Sequence, residues 1–272
     1  MIGAAGPPPE RIRAAAGAVQ RHLEGYEAPD FAEAPGPDAA LFLCAIDHSS
    51  GYERPHCVNG AGPFKGSELI WHLGCAVERR AAGALGAQAL RDVDAAAVEG
   101  LFRVEEETIS RAPERARLWR DLAARLIEGY EGSAGTLLSR SGGRLRGAGG
   151  LIARLASFDA FSDPLEKKAF LFAKIAARRG WLSVADPESW EVCADNVLMR
   201  VCLRAGLVDP GPAEQVRADT RSALKAVALA AKVEPPLLDD LVWERGRLDP
   251  ALLGDVRPGL DAPPRPAGTF FY

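Results

Sequence analysis

Asp195 stands just ahead of an apolar-periodic run, in CADNVLMRVCLRAGLV (193–208), and is the carboxylate best placed to do chemistry. An aspartate at a helix start accepts the orphan amide N–H groups of the first turn, and the helix dipole keeps it ionised and rigid. A carboxylate held that way can stabilise positive charge growing on a sugar, bond to its anomeric carbon, or activate an attacking water. The plainer reading of the same residue is a helix cap and nothing more. Lys168, in SDPLEKKAFLFAKIAARRG (162–180), offers a second chemistry, because an amine can form a Schiff base at C1′ of a sugar. With Lys167 and Lys174 beside it, an ordinary solvent-facing helix explains it as well.

Other candidates cluster in three places. Asp47 and His48 close LCAIDH (43–48) and precede SSGYERPHCVNGAGPF (49–64), a polar, Gly-rich segment long enough for a functional loop. His48 could meet the edge of a base or move a proton; its bland role is to bond backbone at a helix end. Cys44 and His48 share an i, i+4 spacing, but no HxxxH, CxxC or carboxylate partner completes a zinc set, so neither a metal nor another cofactor is expected. Lys65, Gly66 and Ser67 open a helix whose exposed amides could hold a phosphate, unless Ser67 is simply its cap. In LLDDLVWERGR (237–247), Asp240 and Arg245 could orient a substrate and Trp243 could stack on a base. An exposed helix with an anchoring tryptophan accounts for them equally. Trp71, Trp181 and Trp190 form the aromatic reserve.

These residues need helices to position them. Alanine, leucine and arginine dominate the 272 residues, and they lose little on entering a helix. Periodicity and punctuation predict helices over 9–27, after Asp38 as cap, from Lys65, and over 91–103, 113–129, 132–140 and 147–158. They continue after a Ser162 or Asp163 cap with Pro164 at the first position, then from Asp195 to Ala205, and over 212–233 and 235–246. No strand alternation appears. The expectation is an all-α chain forming one domain, 1–272, of two helical lobes around a cleft, with an extended or disordered tail over 258–272. The first residues lack the pattern of a signal peptide, and no apolar run of about 18 residues suggests a membrane span. Five scattered cysteines fit reduced thiols in a cytoplasm and no iron–sulfur cluster. A net charge of −4 suits a small nucleotide better than duplex DNA, which calls for a basic face.

KKAFLFAKIAARRG followed by CADNVLMRVCLRAGLV resembles the catalytic stretch of the helix-hairpin-helix N-glycosylase superfamily. There, a helix bearing Lys-Thr-Ala or Lys-Ala precedes Val-Asp-(Thr/Tyr)-His-Val-x-Arg-Val-x-x-Arg-x-Gly. Lys168-Ala169, Asp195, Arg200, Val201, Arg204 and Gly206 match, while Asn196 and Val197 stand where the superfamily has Thr/Tyr and His. The separation, 195 − 168 = 27, implies a lengthened loop relative to endonuclease III-like members. The resemblance implies Asp195 as catalytic carboxylate and Lys168 as the Schiff-base residue of lyase members. Where DNA-reading members carry Leu-Pro-x-Val-Gly, this chain has DAFSDPLEKKA, without the turn whose amides grip a DNA phosphate.

A narrower resemblance is to the queuosine-salvage family, queuosine 5′-phosphate N-glycosylases. KKAFLF and the Ala194-Asp195 pair are similar to that family's Lys-(Lys/Arg)-Ala-Gln-Ile-Leu and Phe-Ala-Asp-Tyr-Arg-Val segments. Upstream of these, LCAIDH, FKGSELIWHLGCAVERR and ARLASFDAFSDPLEKKA are similar to that family's segments in matching order, and the similarity spans about 38–210. The function so implied is hydrolysis of the N-glycosidic bond of a modified or deazapurine nucleoside or nucleotide. The alternatives are a DNA glycosylase, with Arg140, Arg144 and Arg146 as phosphate contacts, and a non-catalytic nucleotide-binding module.

Overall fold

The computed structural model describes residues 6–272; the reading of a missing signal peptide rests partly on residues 1–5, outside the described residues. In chain order the helices are α1 (Pro9–Leu23), α2 (Pro37–Ala45), α3 (Ser67–Arg80), α4 (Ala87–Leu90), α5 (Ala95–Leu101) and α6 (Ala112–Tyr130). They continue as α7 (Ala134–Arg140), α8 (Leu151–Leu155), α9 (Lys167–Arg178), α10 (Asn196–Arg204), α11 (Ala213–Ala231) and α12 (Pro235–Gly246). The chain is mostly helical, as its composition requires. Among the described residues no helix is long and apolar enough to cross a membrane, and all five cysteines are free thiols.

One small antiparallel hairpin corrects the strand-free expectation. β1 (His56–Val58) pairs with β2 (Ala61–Phe64), His56 facing Phe64 and Val58 facing Ala61, inside the segment read as a loop. The turn is Asn59-Gly60, both at positive φ (52° and 80°). That dipeptide suits a two-residue hairpin turn, and it was the available signal.

The chain folds into two compact units. The first takes the residues up to Pro29 and Trp190–Thr269. In it α1 lies along α11, and α10 packs on α11 and α12 around Val19, Leu198, Val201, Leu224, Val227 and Leu241, all fully buried. Helix α12 comes so close to α10 that a Cβ at Gly246 would sit 2.7 Å from Val201. Glycine permits that approach. Helix α10 ends in a left-handed turn at Gly206, with the Leu207 amide donating to the Cys202 carbonyl at 2.9 Å.

The second unit holds Asp30–Ser189 and Phe270–Tyr272. Its centre is α2, buried from Ala39 through Ala45. A helix apolar on every side has to be enclosed, and α3, α6, α7 and α9 enclose this one. Trp119 on α6 fixes the packing by donating its indole N–H to the Phe42 carbonyl at 2.7 Å.

Several expected boundaries move. The 9–27 helix stops at Leu23. The 91–103 helix shortens to α5, because Asp94 caps it by accepting from the Ala97 amide at 2.8 Å, and α4 ends before residue 91. The 147–158 stretch yields only α8. Asp38 does not cap α2; its carboxylate accepts the Ala134 amide at 2.5 Å. Asp163 caps a turn rather than α9, taking the amides of Leu165 (2.9 Å) and Lys167 (3.0 Å), so the helix proper starts after Glu166. Residues 258–272 contain no helix or strand, and Tyr272 is buried.

Candidate functional site

In the first unit, Asp195 occupies the N-cap position of α10. Its Oδ1 accepts the amides of Val197 (2.9 Å) and Leu198 (3.1 Å), and its Oδ2 accepts the indole N–H of Trp243 on α12 at 3.1 Å. The residue is half-buried. The carboxylate is thus held from two directions, by its own helix and by a neighbour. The ring of Trp243 also carries the Arg247 guanidinium 4.2 Å from its centre, a cation–π contact.

The neighbouring candidates divide. Asp239 is buried and accepts the Cys193 amide at 2.8 Å, tying α12 to the segment that leads into Asp195. Asp240 is buried beside it. Arg245 lies elsewhere, against His22 (3.3 Å) and over the ring of Tyr26 (5.4 Å), whose hydroxyl donates to Glu244 at 2.7 Å. Arg204 forms a two-pronged pair with Asp255 (2.7 and 2.9 Å), and Arg200 reaches the Gly246 carbonyl at 3.2 Å.

In the second unit, Asp47, His48, Ser67 and Lys168 come together around the end of α2. Lys167, just inside α9, donates to Asp47 Oδ2 at 2.5 Å, and the Ser67 hydroxyl at the start of α3 donates to Asp47 Oδ1. Burial alone would raise the Asp47 carboxyl, but Lys167, Ser67 and Lys168 outweigh it and hold the carboxyl below its ordinary range. Lys168 is fully buried, with Nζ 2.7 Å from the Ala45 carbonyl and 3.2 Å from His48 Nδ1. Burial, and then the Lys167 charge, push its amine well below the usual lysine value.

His48 completes a chain. Its Nε2 lies 3.1 Å from Glu114 Oε1 on α6, and Arg111 holds the other Glu114 oxygen at 2.6 Å. Burial and the charges of Lys168 and Arg115 drive the imidazolium form down, so the ring is neutral. An ionised carboxylate only accepts, which places the ring proton on Nε2 and leaves Nδ1 to accept from Lys168. The carboxylate fixes the ring's tautomer and direction, but a ring whose protonated form is so disfavoured is a poor base toward the Lys168 amine.

Beneath it, Arg115 donates to the carbonyls of Ile46, His48 (2.7 Å), Ser49 (2.9 Å) and Ser110 (2.7 Å). Burial lowers this guanidinium to about 10, leaving it cationic at neutral pH.

Sequence reasoning gathered Asp47, His48, Ser67 and Lys168 as candidates but missed Lys167, Glu114, Arg111 and Arg115. The Lys-Lys pair was a signal, and PERAR at the start of α6 was another, yet nothing in the spacing joins residue 114 to residue 48. Two expectations need correction. Lys65 sits apart from the cluster and donates to the Glu53 carbonyl at 2.7 Å, bridging the ends of the hairpin segment. Ser67 is no cap, since Gly66 holds that position and the Ser67 hydroxyl is turned to Asp47.

Two of the three arginines read as phosphate contacts, Arg140 and Arg146, have internal partners. Arg140 bonds the Gly129 carbonyl (2.5 Å) and Glu131 (3.1 Å), and Arg146 grips both oxygens of Glu166 (2.5 and 2.6 Å). Among the described residues no group of three or more His, Cys, Asp or Glu side chains is arranged to hold a metal. No protein-family model matches the chain, and no characterised protein is similar enough to it to count as a match.

Proposed function

We propose that the protein is an N-glycosidase of the helix-hairpin-helix glycosylase kind. It hydrolyses the bond between ribose and base in a modified or deazapurine nucleoside or nucleotide, with Asp195 as the catalytic carboxylate. The supporting observation is the state of Asp195: capped by two amides, held by the Trp243 indole and half-buried. As the C1′–N bond breaks, its electron pair leaves with the base, which takes up a proton, and positive charge develops on the sugar. A fixed anion stabilises that charge, and water then adds to C1′ and gives up a proton. Five free thiols fit an enzyme of a reducing cytoplasm.

The test is release of free base from queuosine 5′-phosphate and related deazapurine nucleotides. The wild type is expected to release base and Asp195→Asn to release none, although asparagine caps a helix equally well. Failure of the wild type across such a panel overturns the proposal. A DNA substrate is less well supported, because Arg140 and Arg146 already have internal partners and the net charge is −4. A non-catalytic module would be favoured by an Asp195 paired only with Arg200 or Arg204, and those arginines have the partners given above.

A further inference from the structure

Phe270 packs in the second unit over the chain of polar groups at the end of α2. Its ring centre is 5.5 Å from Lys168 Nζ, 5.8 Å from the Arg117 guanidinium carbon and 6.4 Å, edge-on, from the His48 ring. Arg117 is half-exposed and paired with Asp159 at 2.6 Å. Phe270 is itself only half-buried, while Tyr272 two residues on is 1% exposed and anchors the segment.

The chemistry is mismatched. Lys168 Nζ bonds the Ala45 carbonyl and His48 Nδ1, which leaves one tetrahedral position: a donor in the ammonium form, a lone pair in the amine. A phenyl ring answers that position only through its quadrupole. Buried polar groups normally meet hydrogen-bonding partners, and here three nitrogen groups surround a ring that has none to give.

We infer that Phe270 is a built-in occupant of a site for a heteroaromatic ring with a keto oxygen and an adjacent N–H on one edge, and that a ligand of this class displaces it. Such a lactam edge presents an acceptor to the ammonium form or a donor to the amine, so it satisfies Lys168 in either state. Guanine-type rings, including 7-deazaguanine, have this edge, whereas simple phenyl rings do not. The choice of a deazapurine rests on the proposed glycosidase reading; the ring site itself rests on Lys168, His48, Arg117 and Phe270.

The test is calorimetric binding of free 7-deazaguanine, a base that contains no glycosidic bond. A self-occupied site binds more weakly by the fraction of molecules in which it is open, so Phe270→Ala should bind about tenfold more tightly than wild type. Phe270→Trp refills the space and should bind no more tightly than wild type. Adding Lys168→Met to Phe270→Ala should abolish the gain. Should Phe270→Ala not fold, Phe270→Leu, closer in volume, is used with the same criteria. The inference is overturned if removing the ring gives no gain, or if the gain survives Lys168→Met. Because no bond is cleaved, an inactive enzyme and an absent ring site give different results.

Discussion

The two units hold their acidic side chains by opposite means. Asp195 accepts from amides two and three residues along its own chain and from the Trp243 indole on α12. Asp47 is bound by Lys167, 120 residues away, and by Ser67, and is buried with Lys168, His48 and Arg115 close by. The two amide bonds of the first arrangement form with α10 itself. The second exists only when α2, α3, α6 and α9 have all packed. A locally capped carboxylate can be altered at small cost to the fold, whereas a carboxylate neutralised by distant cations belongs to the core.

The largest expected effect lies in the second unit. Asp47→Ala removes the buried carboxylate to which Lys167 donates and should cost about 3–5 kcal/mol in urea unfolding. Asp47→Leu combined with Lys167→Met removes both charges and should recover most of that loss. A cost below about 1 kcal/mol for the single change would erase the contrast between the units, because that is no more than a cap is worth.

Next comes pH. The Lys168 amine is held below its ordinary value in the folded state, so between that lowered value and about 10.4 the unfolded chain carries a proton that the native protein does not. Stability therefore gains up to about 1.4 kcal/mol per pH unit from this group as pH rises through the window. The thiols of Cys44 and Cys75, the latter raised by burial to about 11, act in the opposite sense at alkaline pH. The difference between wild type and Lys168→Met isolates the lysine: the denaturation midpoint of the variant should rise less with pH. Parallel curves for the two proteins would show that Lys168 is not depressed.

The smallest effect is expected at the cap. Asp195→Ala should cost about 1 kcal/mol by thermal unfolding, set against complete loss of base release. A loss of several kcal/mol would place Asp195 among the core charges, beside Asp47.

The same contrast explains what could be read from the sequence. Asp195 was legible because a cap, a 3.6-residue apolar period and a terminating Gly206 all lie within a dozen residues. The all-α class followed from composition in the same way. Lys167 and Lys168 looked like solvent-facing charge because a helix sequence does not reveal which face a distant carboxylate will meet. Their burial follows from α2, which is too apolar to leave uncovered and carries Asp47 and His48 at its end. The α9 start was misplaced because Asp163 makes cap-like bonds one turn early, with Glu166 in a left-handed conformation between them. Phe270 gave no signal, since a ring near the end of a proline-rich stretch carries no period that could be matched to residues 48 and 168.

Arg115 gives the stretch 46–49 a character of its own. Three carbonyls that would, in a sheet, meet the amides of an adjoining strand are instead gathered by one side chain, which also reaches Ser110. The direction in which Asp47 and His48 leave the backbone is therefore set largely by one planar fork, helped by the Ser110 hydroxyl on the Ser49 carbonyl (2.7 Å), rather than by a ladder of interchangeable rungs. A lysine, with one nitrogen in place of three, could not span four oxygens so far apart in the chain. The orientation of the whole ionic assembly is thereby delegated to a residue that belongs to none of its pairs.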